Sequence, residues 1–302
     1  MAKIAFKGGV DRYAGVKSVL QLLADEIVDG LKKAKRILVK PNFVSVYNIY
    51  SATHVDSVKA FLDFLYEVVG SKKVVIGEGP AGGGLERDLR NYGYLKLVDE
   101  YDVEFVDLNE DERVFFKIYD RDLEQRIEVP VSKTALNSDY IVSICRPKTH
   151  DTVVVTLTIK SVVMGAVQSP YKSRVHQGYG AINLTLAFLA KYLMPKLSII
   201  DGYEGMEGNG PVSGSPVKWG IYVAGTNPVE VDAFTTWLMG FNPSDVGYLY
   251  FLSKWGYGEI DPNKLLEKVI GDDPRSFRRK FKPHFTYEEQ LRWKDEVEDK
   301  MG

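Results

Sequence analysis

The sequence predicts an α/β protein: mainly parallel, Rossmann-like sheets flanked by helices, arranged in two lobes, with a β-hairpin insertion and a helical C-terminal tail. Three observations lead there. Short apolar runs of strand length alternate with longer stretches whose apolar residues recur at helical spacing. The stretches between successive strands are long enough for crossover helices, which favours parallel pairing and right-handed connections. The chain has 302 residues, 45% hydrophobic and 26% charged, which is an ordinary globular composition able to bury a large core.

The elements follow in order. Ile4 to Phe6 reads as a brief strand, and Tyr13 to Lys35 as a helix with Val16, Val19, Leu20, Leu23, Ile27 and Leu31 on one face. Arg36 to Lys40 is a buried strand stopped by Pro41, Val55 to Val69 a second amphipathic helix, and Lys73 to Gly77 the next strand. Val103 to Asp107 continues the alternation. Val114 to Tyr119 and Arg126 to Val129 then form a hairpin or edge pair. Strands resume at Asp139 to Cys145, Lys196 to Asp201 and Trp219 to Ala224, with helices at Ala181 to Tyr192 and Pro228 to Met239. From Ser244 on the pattern is helical, and Tyr287 to Lys300 is a charged amphipathic end, expected as a surface helix or a partner contact. The polar change between Glu110 and Val131 marks the expected lobe boundary: 1–132 with the hairpin, 133–285, and a tail at 286–302.

Composition excludes several functions. The net charge of −2 gives no basic footprint for nucleic acid. The single cysteine, Cys145, cannot close an internal disulfide or hold a zinc or iron–sulfur site unaided, and its apolar neighbours read as a buried strand. No signal peptide or long apolar run is read, so the expected compartment is the cytoplasm, with no membrane partner. Oligomerisation is left open.

Ligands of open parallel sheets bind beyond the carboxyl ends of the strands, so polar residues just after predicted strands carry the functional expectations. Lys40 and Asn42 follow the strand at Ile37, where a lysine can serve as a fixed cation for a phosphate or carboxylate. Thr53 is placed to cap the helix at Val55, and His54 is a ligand, an acid/base group or a surface histidine. Glu78 stands between glycines at a strand end as a candidate base or metal ligand. Gly79 belongs to a loop running to Gly84 that permits close backbone approach but matches neither a Walker motif nor the dinucleotide fingerprint. After Cys145, Lys148 would hold an anion while His150 moves a proton or binds metal. Lys160, inside an apolar stretch, must snorkel, pair or reach the site. His176 lies in a polar loop as a lid residue or a surface histidine. The stretch from Asp201 to Gly214 reads as a glycine-rich ligand loop. In it Gly208 and Gly210 allow close approach, and Asp201 and Glu207 are the candidate oxygen ligands for a divalent metal. Asp232 is either a first-turn helix charge or a site carboxylate.

Lys40-Pro41-Asn42, Thr53-His54, Gly77-Glu78, Lys148-Thr149-His150, Lys160 with Gly165, Asp201-Gly202 and Met206-Glu207-Gly208-Asn209-Gly210-Pro211 together resemble the family known as domain of unknown function 362. The resemblance runs in order from about Ile37 to Gly258. It implies a shared α/β fold and a shared polar site, and it supplies no reaction. Some relatives carry a ferredoxin-type segment. With one cysteine this chain lacks it, so no iron–sulfur cluster is expected. Ser161 stands where many relatives have asparagine.

Two functions compete. One is an enzyme acting on a small anionic ligand by acid/base chemistry, with Lys40, Lys148 and Lys160 as clamps and His150 or Glu78 as base. The other is a binding module for a ligand, cofactor or protein that uses the same residues without turnover. A structural ion-pair network is the third account of the same cluster.

Overall fold

The computed structural model describes residues 2–45 and 48–301, so Gly302 of the expected tail lies outside the described residues. The strands are β1 (Ile4–Gly8), β2 (Ile37–Lys40), β3 (Val74–Glu78), β4 (Val103–Asp107), β5 (Arg113–Tyr119), β6 (Gln125–Ser132), β7 (Tyr140–Cys145), β8 (Lys148–Thr149), β9 (Val155–Thr156), β10 (Leu197–Glu207), β11 (Ser215–Gly225) and β12 (Val269–Gly271). The helices are α1 (Arg12–Leu22), α2 (Ala24–Lys33), α3 (Val55–Val69), α4 (Leu85–Asn91), α5 (Lys133–Leu136), α6 (Thr158–Ala166), α7 (Tyr179–Leu193), α8 (Pro228–Leu238), α9 (Gly247–Lys254), α10 (Pro262–Leu266), α11 (Tyr287–Gln290) and α12 (Trp293–Met301).

The main sheet runs β12-β1-β11-β10-β7-β2-β3-β4. The pairs from β10 through β7, β2 and β3 to β4 are parallel, while β11 is antiparallel to both of its neighbours. Strands from before and after residue 132 interleave in this one sheet. The hairpin expected near Val114 forms as the antiparallel pair β5–β6, outside the main sheet.

Strand alternation divides the core in two. On β7, Tyr140, Val142 and Ile144 face one side while Ile141 and Cys145 face the other; β11 divides in the same way, with Tyr222 and Ala224 opposite Ile221 and Val223. The first side is covered by α1, α2 and α3 through Val16, Leu20, Ile27, Phe61 and Leu65. The second is covered by α6, α7, α8 and α9 through Ile159, Leu186, Phe234 and Leu249. Each such fully buried side chain contributes about 1.5–3 kcal/mol. Helices on both faces explain why the strands read as nearly continuous apolar runs.

Three expectations are corrected. The helix read over Tyr13–Lys35 breaks at Leu23, which leaves helical geometry (φ −99°, ψ 3°) and starts a second helix with acidic residues first and lysines last, as the helix dipole favours. The glycine-rich stretch from Asp201 is mostly strand: β10 continues to Glu207, because it pairs with β11 across a register shift near Gly202. Only 208–214 is a turn. The tail is not merely a surface helix, because Gln290 and Trp293 are buried against the body of the protein.

Candidate functional site

The segments at the carboxyl ends of β2, β3 and β8 and one side of α6, from Lys160 to Gly165, line a cleft of about 190 Å³. Its walls include Asn42, Glu78, His150, Lys160, Lys172 and His176.

Lys40 and Glu78, at the adjacent ends of β2 and β3, form a fully buried ion pair with Nζ 2.7 Å from Oε2. Lys40 Nζ also donates to the Pro41 carbonyl at 2.6 Å. Glu78 accepts from Phe43 N–H at 2.9 Å and from Gly79 N–H at 2.8 Å, so both of its oxygens are occupied. The expected base is thus an anchor for the 41–44 and 79–84 loops. Burial pulls the Lys40 ammonium below its ordinary pKa, and the Glu78 charge works against that. The pair requires glycine opposite it: a Cβ on Gly165 would lie 2.0 Å from Lys40 Cε, and one on Gly79 would lie 2.3 Å from the Gly165 carbonyl oxygen.

Lys148 is a strut behind the wall. Its Nζ donates to Asn42 Oδ1 and, at 2.7 Å, to the Ser51 carbonyl, and it does not line the cleft. Burial pushes it down to about 7. It therefore fixes Asn42 rather than holding a ligand directly. Thr53 also differs from expectation: its hydroxyl accepts from Asn42 N–H and donates to the Ile144 carbonyl, while His54 Nδ1 caps α3 by accepting from Asp56 N–H at 3.2 Å.

Lys160 contrasts with both buried lysines. It is 8% exposed, lines the cleft, and makes no hydrogen bond or ion pair with any described residue. Burial pushes its pKa down to about 8, with Lys40 adding repulsion and Asp151 opposing. Its position is set by α6, whose N-terminal amides are capped from another element. Asp232 on α8 accepts from Thr158 N–H at 3.0 Å, Thr158 Oγ1 at 2.6 Å and Ile159 N–H at 2.9 Å. Burial pushes Asp232 up to about 7 against those three hydrogen bonds. Asp232 is a capping carboxylate, and its capped helix carries Lys160 into the cleft.

His150 is fixed by its main chain. Its N–H donates to the Val154 carbonyl at 2.8 Å, and its carbonyl accepts from Gln290 Nε2 at 2.8 Å. Gln290 Oε1 accepts from Val154 N–H at 2.5 Å, so α11 of the tail clamps this turn from both sides. Val154 sits at φ 66°, a left-handed conformation that costs a β-branched residue about 1–3 kcal/mol and that the clamp sustains. In the ring, Nδ1 accepts from Thr152 N–H at 3.1 Å and lies 3.0 Å from Asp151 Oδ1, leaving Nε2 without a partner among the described residues. Burial pushes the His150 pKa down to about 3; Lys160 lowers it further and Asp151 opposes, so the ring is neutral. Burial raises the Asp151 carboxyl, but His150, Lys160 and His176 together hold it below its ordinary value.

Lys172 was not foreseen. It spans the C-terminal end of α6, donating to the Met164 carbonyl at 2.5 Å and to the Val167 carbonyl, and burial pushes it down to about 7. Its ammonium has a third N–H to offer the cleft. His176, four residues on, is held by Nδ1 against the Lys172 carbonyl at 3.2 Å. The spacing from Lys172 to His176 in a polar loop was the available signal, and Asp151 was signalled by adjacency to His150.

The remaining expected residues lie elsewhere. Gly208, at φ 75°, accepts from Thr149 Oγ1 at 2.8 Å, and a Cβ on Gly210 would lie 2.3 Å from the Thr149 carbonyl. Both glycines pack on the strand before His150 and bring Pro211 to the cleft rim. Asp201 and Glu207 do not converge: they are six residues apart on β10, roughly 20 Å at a strand rise of about 3.3 Å. Asp201 is taken by Arg12 Nε at 2.9 Å and Ser57 Oγ at 2.8 Å, and Glu207 by Lys282 N–H at 3.0 Å. The expectation that they share a metal is corrected accordingly. Among the described residues, no group of three or more His, Cys, Asp and Glu side chains comes together as a metal site. His54 lines a separate hollow with Asn91, Tyr92 and Arg146. Cys145 is fully buried on β7, and burial raises its thiol pKa.

A model of the family described as "Domain of unknown function (DUF362)" matches residues 37–237. A thylakoid-associated protein of Synechocystis sp. is 27% identical over 222 residues, which cover 72% of this chain and 66% of that protein. The chain thus spans about two thirds of that relative's length. The solved apoprotein of the lactate racemase from Thermoanaerobacterium thermosaccharolyticum is 15% identical, with a TM-score of 0.43 over 66% of this chain and 50% of that one. Among the described residues no helix is long and apolar enough to cross a membrane.

Proposed function

The chain belongs to the domain of unknown function 362 family, and from that premise we propose that it is an enzyme acting on a small carboxylate- or phosphate-bearing molecule by acid/base chemistry in the cleft of Lys160 and His150. One observation carries the reading. A nine-tenths-buried lysine shares a cleft with a histidine, and neither the lysine amine nor the outer ring nitrogen has a partner among the described residues. An unpaired buried ammonium is costly to keep, and a bound anion would offset that cost. Neighbouring ionisable groups that perturb one another in a cleft favour active sites.

The parts divide as follows. Lys160, with Lys172, supplies the positive wall that receives the anion, and His176, whose pKa burial lowers, stands beside it as a neutral ring. His150 Nε2 acts as proton acceptor in the tautomer that carries Nδ1–H, in which Asp151 Oδ1 takes the Nδ1 hydrogen in place of the Thr152 N–H contact, and Asp151 stabilises the imidazolium once formed. An anion beside Lys160 neutralises one of the charges that depress His150, while burial, the larger cause, stays in place. Lys40, Glu78 and Lys148 hold the walls.

Calorimetric titration with acetate, pyruvate and inorganic phosphate tests the binding half. Wild type should bind at least one of these, and Lys160→Met should weaken it about 10–100-fold, the worth of a charged hydrogen bond. Equal binding by the variant overturns the reading. Exchange of the pyruvate methyl protons with D2O tests the chemistry. It should be catalysed by wild type and lost in His150→Ala. Binding without exchange by wild type would leave a binding module in place of an enzyme.

A further inference from the structure

The Lys160 amine has the surroundings of a nucleophile as well as those of an anion clamp. Of the lysines at the cleft, Lys40 is committed to Glu78 and the Pro41 carbonyl, Lys148 to Asn42 and the Ser51 carbonyl, and Lys172 to two carbonyls at the end of α6. Lys160 alone among these four lacks any such commitment among the described residues, and it opens on the cleft. It is mounted on a helix held rigidly from outside by Asp232. Nothing in its surroundings has to be broken for the amine to change charge or form a bond. A second cation, Lys172, remains in the same cleft to hold an anion if Lys160 is consumed.

We infer that Lys160 forms an imine with the keto group of a 2-oxo carboxylate, with Lys172 holding that ligand's carboxylate. The inference rests on the acid/base reading of the cleft and goes beyond it by assigning a covalent role and a substrate class. The neutral amine attacks the carbonyl carbon: a C–N bond forms and the carbonyl π pair moves to oxygen, which takes up a proton from solvent water. The nitrogen gives up a proton to His150 Nε2, which returns it to the hydroxyl. Water then leaves as the C–O bond breaks, and the nitrogen lone pair forms the C=N bond. No oxidant or reductant is needed. Burial favours the neutral amine needed for attack, and the depressed lysine pKa agrees with this. The iminium so formed would acidify the adjacent C–H, in a cleft that His150 also lines.

The test is trapping with sodium borohydride in the presence of pyruvate, followed by mass spectrometry of peptides. Wild type should gain one pyruvate less one oxygen on the peptide carrying Lys160, stoichiometrically and with protection by excess acetate. Lys160→Met should gain nothing there, and Lys172→Met should weaken the yield through poorer pyruvate binding while still labelling Lys160. Circular dichroism and the thermal transition verify that each variant is folded. Absence of label, or label spread over surface lysines at similar yield, overturns the inference. If pyruvate binds calorimetrically and no adduct is trapped, the covalent step falls and the acid/base reading stands. If no carboxylate or phosphate binds, both fall.

Discussion

Two polar clusters sit at the carboxyl edge of the sheet and use similar residues to different ends. Beside α1 and α3, Arg12 bonds Asp201 at 2.9 Å and Glu204 at 3.0 Å, and Arg146 approaches Glu204 at 3.4 Å. Two arginines there meet two carboxylates. Across the wall made by Asn42, Thr53 and Lys148, Lys160 meets none among the described residues. The first cluster is neutralised by the protein itself and ties β10 to α1. The second is left with a cation and an imidazole nitrogen facing open space. Polar density at a strand end therefore says little about function until the charges are paired off. What matters is which ones remain.

The largest expected effect comes from breaking a paired charge. Glu78→Ala strands the Lys40 ammonium in the interior and should cost about 3–5 kcal/mol in urea denaturation. A loss below about 1 kcal/mol would mean that the pair does not anchor the wall. Next, Asp232→Ala removes the acceptor of three donors at the start of α6. It should cost about 1–3 kcal/mol and also weaken anion binding, because Lys160 loses its fixed mounting. Lys160→Met strands nothing. It should leave stability near pH 7 within about 1 kcal/mol of wild type or higher. The sign follows from linkage. The Lys160 pKa is about 8 in the folded protein and ordinarily 10.5. The folded state thus binds fewer protons between those values, and this group adds stability as pH rises from 8 to 10.5. The variant should show a shallower rise over that window. The smallest effect belongs to His54→Ala, which removes a weak α3 cap for less than about 1 kcal/mol and leaves anion binding unchanged. A changed affinity would join the two clusters into one site.

How much of this was legible in the sequence depended on whether a property was local. Strand and helix placement was, because burial on both faces of the sheet writes itself as apolar runs and helical periodicity. The break at Leu23 was not, since the helical pattern of apolar residues continues through it. Position after a strand located Lys40, Glu78, Lys148 and His150 near the edge. It could not tell a strut from an open group, because Lys148 and Lys160 differ only in partners about a hundred residues away or absent: Asn42 and Ser51 for one, none among the described residues for the other. Asp201 and Glu207 looked like a ligand pair only while their stretch was read as a loop; as a strand it holds them apart. The clamp on His150 by Gln290 is likewise a tertiary fact with no local signature.

The central claim is that Lys160 is a buried ammonium left unpaired for a ligand. It is tested most directly by following the titration of Lys160 with NMR after 13C-methylation of the lysines, assigned by its loss in Lys160→Met, with and without pyruvate or acetate. The account predicts a pKa near 8 in the free protein and a clear rise when the carboxylate binds. A lysine that titrates at its ordinary value and does not respond to carboxylate would contradict it.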